Sequence, residues 1–178
     1  LQEVDNIPGR LERIQVKTDC AVFVDYAHTP DALENVLKTL REMKPVRLIV
    51  VFGCGGERDR GKRPIMGKIA GELADIVLVT TDNPRKEEPR GILSAIETGL
   101  LESKLTRMRG EILLKGGKQG YDIVPCRRQA IGLAILYGRT GDAILIGGKG
   151  HENYQITARG TEFFDDRVEV RRHAAMIM

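Results

Sequence analysis

A chain of 178 residues fits one domain of ordinary size and leaves no room for a second full one. Its 42% hydrophobic residues suit an aliphatic α/β core, while 4% aromatics and no Trp disfavour the stacking platforms that bind single-stranded nucleic acid. The 28 basic and 25 acidic residues are interspersed and leave a net charge of only +3, so the electrostatic footprint of a nucleic-acid binder is missing as well.

The three cysteines, Cys20, Cys54 and Cys126, are widely spaced and form no CxxC pair, which excludes a zinc ribbon or a disulfide framework and makes a reduced, cytoplasmic setting the expectation. No apolar run approaches the roughly 20 residues that span a bilayer, and Leu1 to Arg10 do not resemble a signal peptide. These opening residues lack an initiator Met and read as the tail of a linker entering a strand, so the chain is expected to be a fragment of a longer protein.

Along the chain, apolar runs rich in β-formers alternate with helix-period segments, the pattern of βαβ units and a largely parallel sheet. The first strand is expected at Ala21–Asp25. It is followed by a helix capped by Thr29, with Pro30 at its first position, Asp31 in its first turn and a core face of Leu33, Val36, Leu37 and Leu40. Strands follow at Arg47–Phe52, Ile76–Thr80, Asp122–Val124 and Ala143–Ile146, and helices at Pro64–Leu73, Pro89–Thr98 and Arg127–Tyr137. All but the fourth strand are near-continuous aliphatic runs, as expected when helices cover both faces. Ser103–Gly120 gives no clear signal. Tyr154–Ala158 and Thr161–Phe164 flank Arg159-Gly160 as a hairpin, and Arg167–Met178 forms a terminal helix. The expectation is a Rossmann-like three-layer α/β domain with a mostly parallel sheet and a C-terminal hairpin plus helix.

Ligands of open α/β sheets bind beyond the carboxyl ends of the strands, which singles out four loops: 25–30, 53–63, 81–90 and 147–154. The run Gly53-Cys-Gly-Gly-Glu-Arg-Asp-Arg-Gly-Lys-Arg63 nearly matches two phosphate motifs. A dinucleotide fingerprint needs glycine where Arg58 stands, and a phosphate-binding loop from Gly56 to Lys62 needs Ser or Thr where Arg63 stands. A glycine turn presenting Arg58, Arg60, Lys62 and Arg63 to an anionic or zwitterionic ligand fits better; on this loop alone a solvated charged turn fits equally well.

In Thr81-Asp82-Asn83-Pro84-Arg85, completed by Pro89, two prolines restrain the backbone and lower the cost of presenting Asn83 and Arg85. Arg85 can fork onto a carboxylate. An Asx-Pro turn that leaves Arg85 in solvent fits the local rules slightly better. In Gly147-Gly148-Lys149-Gly150-His151-Glu152 the glycines admit close approach to a ligand and Glu152 can accept an ammonium group. Asp25-Tyr26-Ala27-His28 sets an acid and a histidine beside a helix start, where anions are favoured, although a lone histidine is more often structural. Together the loops offer arginines for carboxylates and a glutamate for an ammonium, the complement of an amino acid with more than one charged centre.

In order and spacing, Asp25-Tyr-Ala-His-Thr-Pro-Asp-Ala32, Gly53-Cys-Gly-Gly-Glu-Arg-Asp-Arg-Gly-Lys-Arg-Pro64, Asp82-Asn-Pro-Arg85 and Gly147-Gly-Lys-Gly-His-Glu152 resemble the Mur ligase family, in its tripeptide-synthetase branch. The resemblance runs from Pro8-Gly9-Arg10 to the terminal helix. It implies that residues 1–178 are the third domain of a three-domain ligase, the UDP-substrate domain and the central domain with the phosphate-binding loop and Mg²⁺ sites lying outside the chain. It further implies ATP-dependent addition of meso-diaminopimelate to UDP-N-acetylmuramoyl-L-alanyl-D-glutamate through an acyl phosphate. By position in the motifs, Arg58, Asp82, Asn83, Pro84, Arg85, Gly148 and Glu152 would bind meso-diaminopimelate, while Arg10, Asp25 and His28 would form the face that closes over ATP. No residue here is expected to be catalytic or to bind metal, and a monomeric cytoplasmic enzyme without nucleic-acid or membrane partners is implied. A lysine-adding ligase, a folylpolyglutamate-type ligase and a stand-alone nucleotide-binding module are the alternatives; Asp82–Arg85 argues against the first two.

Overall fold

The computed structural model describes residues 9–17, 20–116 and 119–177. Leu1 to Pro8, read above as linker, residues 117 and 118 of the segment without a clear signal, and Met178 at the end of the expected terminal helix lie outside the described residues.

Among the described residues the main sheet has six strands in the order β1-β2-β6-β3-β4-β5. The strands are β1 (Glu12–Ile14), β2 (Ala21–Asp25), β3 (Leu48–Phe52), β4 (Ile76–Val79), β5 (Gly120–Ile123) and β6 (Ala143–Gly147). Only β1 runs antiparallel, Arg13 pairing with Phe23; every other neighbour is parallel, with Asp25 beside Gly147 at the shared carboxyl edge. The helices are α1 (Pro30–Glu42), α2 (Lys62–Leu73), α3 (Pro89–Leu100), α4 (Gly110–Gly116), α5 (Arg127–Leu136) and α6 (Asp166–Ala174). Strands β7 (Tyr154–Thr157) and β8 (Gly160–Phe163) form a separate hairpin.

Side chains of a strand alternate between faces, and here each face has its own core. Val50, Phe52, Val77, Val79 and Leu145 pack with α1, α2 and α3. Ile49, Val51, Ile76, Leu78, Ile144 and Ile146 pack with α4, α5 and α6. This double cover explains why β3, β4 and β6 are buried at every position and why they read as unbroken aliphatic runs. The start of α1 forms as its sequence dictates: the Thr29 hydroxyl accepts the Ala32 N–H at 3.3 Å, Pro30 occupies the first turn, and Leu33, Val36, Leu37 and Leu40 are buried.

Most element boundaries shift by one or two residues, and α6 ends at Ala174 instead of running to the end of the chain; three departures have a clear physical reason. β3 begins at Leu48; Arg47, just before it, still accepts the Ala143 N–H on its carbonyl at 2.9 Å, while its side chain enters a buried ion pair with Asp142, 2.5 Å away. β5 lies two residues earlier at its start than expected and includes Gly120 and Tyr121; as the last strand of the sheet, with only a bridge from Arg107 to Tyr121 on its outer side, it carries little apolar signal. The unreadable stretch contains α4, whose seven residues are too few to show a helical period.

Strands β6 and β3 are neighbours, yet the chain leaves β3 for α2 on one face and leaves β6 for the hairpin and α6, which packs on the other. That divergence opens a crevice at their carboxyl ends, the usual ligand position in such sheets.

Candidate functional site

The crevice is a cleft of about 780 Å³, and Arg58, Asp82, Asn83, Arg85, Gly148 and Glu152 all line it, with His28 at its margin. Pro84 is buried behind this surface. Arg10 and Asp25 line an adjoining cleft of about 440 Å³, and Tyr26 and His28 form part of both. The structure therefore brings the expected amino-acid residues to one place and sets the expected ATP-facing residues beside it.

The loops after β3 and β4 are bound to each other. Gly56 N–H donates to the Asn83 carbonyl at 2.9 Å, and Arg85 Nη1 returns a bond to the Gly56 carbonyl at 2.8 Å. A Cβ at Gly56 would collide with the Pro84 carbonyl oxygen, so the close stacking of the two loops requires glycine there. Arg85 itself has φ 56°, a left-handed conformation costly for a side chain of its size. The hairpin holds it there: the Arg85 N–H donates to the Ile156 carbonyl at 3.0 Å.

One expectation about the first loop is corrected. Arg63 was expected to face a ligand with Arg58, Arg60 and Lys62; it is 2% exposed and forks onto Glu87 at 2.7 and 2.9 Å. Arg60 also leans toward Glu87, at 3.4 Å. Arg58 and Lys62 remain at the cleft, Lys62 Nζ donating to the His28 carbonyl at 2.7 Å. Position in a cationic run does not show which member enters the first turn of a helix and is buried there.

Glu152 faces the cleft with one oxygen committed. Its Oε2 accepts from Asn83 Nδ2 at 2.9 Å, while among the described residues Oε1 has only the Tyr26 hydroxyl, at 3.5 Å. Burial, and then the nearby Glu152 carboxylate, push the Tyr26 phenol above its ordinary range. Behind Glu152 lies Lys149, which is 0% exposed and ion-paired with Asp82 at 3.1 Å. Burial lowers the Lys149 ammonium from its ordinary value, against the pull of Asp82. Gln155 Nε2 donates to the Asp82 carbonyl at 2.6 Å, so hairpin strand β7 is stitched to the β4–α3 loop. Lys149 and Gln155 carry no role read from sequence; their partners, Asp82 and Asn83, lie on another loop.

At the second cleft, Asp25 Oδ2 accepts the Leu11 N–H at 2.6 Å. Burial raises the Asp25 carboxyl from its ordinary value, opposed by hydrogen bonds from the backbone of Leu11 and Ala27. His28 is exposed, its Nδ1 2.8 Å from the Tyr26 carbonyl oxygen, and the rings of His28 and His151 lie 4.5 and 5.3 Å from that of Tyr26. Cys54 is part of the main cleft, and burial pushes its thiol up to about 12.

A mostly parallel sheet with charged loops gathered over its carboxyl edge, their arginines and a glutamate lining one cleft, defines an α/β domain of the Rossmann-like kind with a polar ligand crevice. The sequence profile of the Mur ligase, glutamate ligase domain, matches residues 9–150, and the chain belongs to that family. It is 51% identical over 92% of its length to a UDP-N-acetylmuramoyl-L-alanyl-D-glutamate–2,6-diaminopimelate ligase of Geobacter metallireducens, covering 32% of that protein. A ligase of the same name from Syntrophomonas wolfei is 49% identical over 94% of the chain, again covering 32% of the relative. A solved structure of a protein with that name superposes with a TM-score of 0.82 at 40% identity, covering 96% of this chain and 32% of that one. A Mycobacterium tuberculosis folylpolyglutamate synthase complexed with ADP shares the fold alone, at 23% identity and a TM-score of 0.54, over 80% of this chain and 30% of that one. The chain thus spans about a third of the length of the curated relatives.

Proposed function

We propose that this chain is the amino-acid-binding domain of an ATP-dependent ligase that joins meso-diaminopimelate to UDP-N-acetylmuramoyl-L-alanyl-D-glutamate, forming an amide bond and releasing ADP and phosphate. The observation that carries the reading is the convergence of Arg58, Arg85, Asn83 and Glu152 on one cleft. Arg58 and Arg85 would take the carboxylates, Asn83 and the turn at Pro84 would orient the molecule, and Glu152, through its lightly engaged Oε1, would take the distal ammonium. Gly148, at φ 116°, leaves the cleft floor open beside Asp82.

In this reaction the D-glutamyl carboxylate takes the terminal phosphoryl group of ATP to give an acyl phosphate. The free amine then attacks the acyl carbon, phosphate departs with the bonding pair, and the amine loses its proton. The residues of this chain contribute by positioning: they hold the amine at the activated carbon and exclude water. Arg10, Asp25 and His28 would supply the face that closes over ATP. Mg²⁺ would offset phosphate charge during transfer; among the described residues no group of three or more His, Cys, Asp or Glu fits the ion, and the reading assigns it to the part of the ligase outside this chain. Among the described residues no helix is long and apolar enough to cross a membrane, and a monomeric cytoplasmic enzyme is part of the proposal.

Selectivity against lysine has a direct physical source. Lysine lacks the distal carboxylate, so its binding would leave an arginine desolvated and unpaired, and sites built around such a group reject the analogue by about 10⁴–10⁵-fold. The test is ADP release by the full-length ligase with ATP, Mg²⁺ and the UDP-linked dipeptide, comparing meso-diaminopimelate with L-lysine. A strong preference for meso-diaminopimelate supports the reading. Preference for lysine keeps the ligase and overturns the specificity, and turnover with neither returns the stand-alone nucleotide-binding module to first place.

A further inference from the structure

We infer that Lys149 is a positioning residue for the acceptor amino acid, acting through Asn83 and Glu152 without touching the ligand. The inference rests on the proposed use of the cleft for an amino acid. Lys149 is fully buried and is not part of the cleft lining, so a direct contact is excluded by its place in the fold. Its ammonium donates to Asn83 Oδ1 at 2.9 Å and to the Tyr154 carbonyl at 2.8 Å, and it is ion-paired with Asp82, whose Oδ1 lies 3.1 Å away. Two hydrogen bonds and one ion pair thus tie the β4–α3 loop to the start of the hairpin through one buried ammonium.

The consequence for Asn83 is a fixed amide. Its Oδ1 accepts from both Lys149 Nζ and the Ile156 N–H, the latter at 3.0 Å, which uses both lone pairs and turns Nδ2 toward Glu152 Oε2 at 2.9 Å. Lys149 Nζ is 3.9 Å from that same oxygen, too far for a hydrogen bond but close enough for charge attraction. Asn83 therefore relays the position of a buried cation to the carboxylate that faces the cleft. A neutral side chain at 149 would remove one of the two donors on Asn83 and leave the buried Asp82 carboxylate without its counter-charge, and the Asn83–Glu152 pair would lose its fixed geometry.

The experiment uses the full-length ligase with Lys149→Met, Asn83→Ala and the double variant, measuring KM for the amino acid, KM for ATP and kcat, with thermal denaturation of each. Lys149→Met is expected to raise the amino-acid KM by roughly 100-fold and to leave the ATP KM within about threefold. The effects of Lys149→Met and Asn83→Ala should be non-additive, the double variant being little worse than Asn83→Ala alone. Additive effects, or an equal rise in both KM values with a lowered Tm, would overturn the inference and leave Lys149 a stability residue. Should Lys149→Met not fold, Lys149→Met with Asp82→Asn removes the stranded carboxylate, with Asp82→Asn alone as reference; an amino-acid KM for the double variant no higher than that of Asp82→Asn alone would equally overturn it. Failure of the functional reading is separate, since it shows in the wild-type choice between meso-diaminopimelate and lysine, while the Lys149–Asn83 coupling is read on whichever amino acid the wild type uses.

Discussion

Glu87 accepts both terminal nitrogens of Arg63, at 2.7 and 2.9 Å, and the same carboxylate accepts the backbone N–H of Glu57 at 3.0 Å. One side chain thus ties the arginine-bearing loop after β3 to the turn after β4. The bond from Arg63, with that from the Glu57 backbone, holds the Glu87 carboxyl at about 2, below its ordinary 4.5. A carboxyl depressed in the folded state stabilises fully above its unfolded value, and that stabilisation is lost as pH falls toward the folded one. Between pH 4.5 and 2 the Tm of the chain should therefore fall, and Glu87→Gln should lower Tm at neutral pH while flattening this part of the profile. An unchanged Tm–pH curve in Glu87→Gln would show that the pair does not contribute.

Helices α2 and α3 meet through glycine. A Cβ at Gly99 would collide with the Pro64 carbonyl oxygen, and one at Gly67 with the Ile96 carbonyl oxygen, so the backbones approach as no other residue allows. Gly99→Ala should destabilise by about 1–3 kcal/mol as the helices are forced apart. Gly91, in the same helix, has nothing within 4 Å of its would-be Cβ, and Gly91→Ala should stabilise by about 0.5–1 kcal/mol. Urea denaturation of both variants checks the contrast, and effects of the same sign would contradict it.

The Arg127–Asp166 ion pair is fully buried, with contacts of 2.8 and 2.7 Å, and Arg127 Nη2 also donates to the Gly147 carbonyl at 3.0 Å. Burial alone would lower the guanidinium, but Asp166 reverses the shift and raises it. Removing one partner strands the other in the core, so Asp166→Ala should cost about 3–5 kcal/mol by chemical denaturation. A loss below about 1 kcal/mol would mean that water reaches the site.

At the cleft, Arg85→Ala should reduce kcat/KM for meso-diaminopimelate by about 2–5 kcal/mol in transition-state terms, the usual effect of breaking a desolvated charge pair. Steady-state kinetics of the full-length ligase measure it, and unchanged kinetics would remove Arg85 from the site.

Glu152→Gln keeps the side-chain shape and removes the charge that would meet an ammonium. Its expected signature is a raised KM for the amino acid with ATP affinity little altered. A selective loss of ATP affinity would move this loop to the nucleotide side.

The parallel sheet was legible because β3, β4 and β6 are buried on both faces and cannot tolerate a polar residue along their length. The four loops were legible because parallel strands send all their functional loops to one edge, so order in the chain became proximity in space. β1 and α4 were not, being three and seven residues long and too short for a period to register. The fate of Arg63 and Lys149 was hidden for a related reason. Their neighbours in sequence are glycines and charged residues typical of exposed turns, while the partners that bury them, Glu87 for one and Asp82 with Asn83 for the other, come from a different loop. Long-range pairing of charges leaves no local mark.

The most direct test of the central claim is a crystal structure of the full-length ligase with meso-diaminopimelate bound. The carboxylates are expected at Arg58 and Arg85 and the distal ammonium at Glu152, with Lys149 still enclosed behind Asn83. The amino acid seated elsewhere, with a nucleotide phosphate against Arg58 and Arg85 instead, would contradict it.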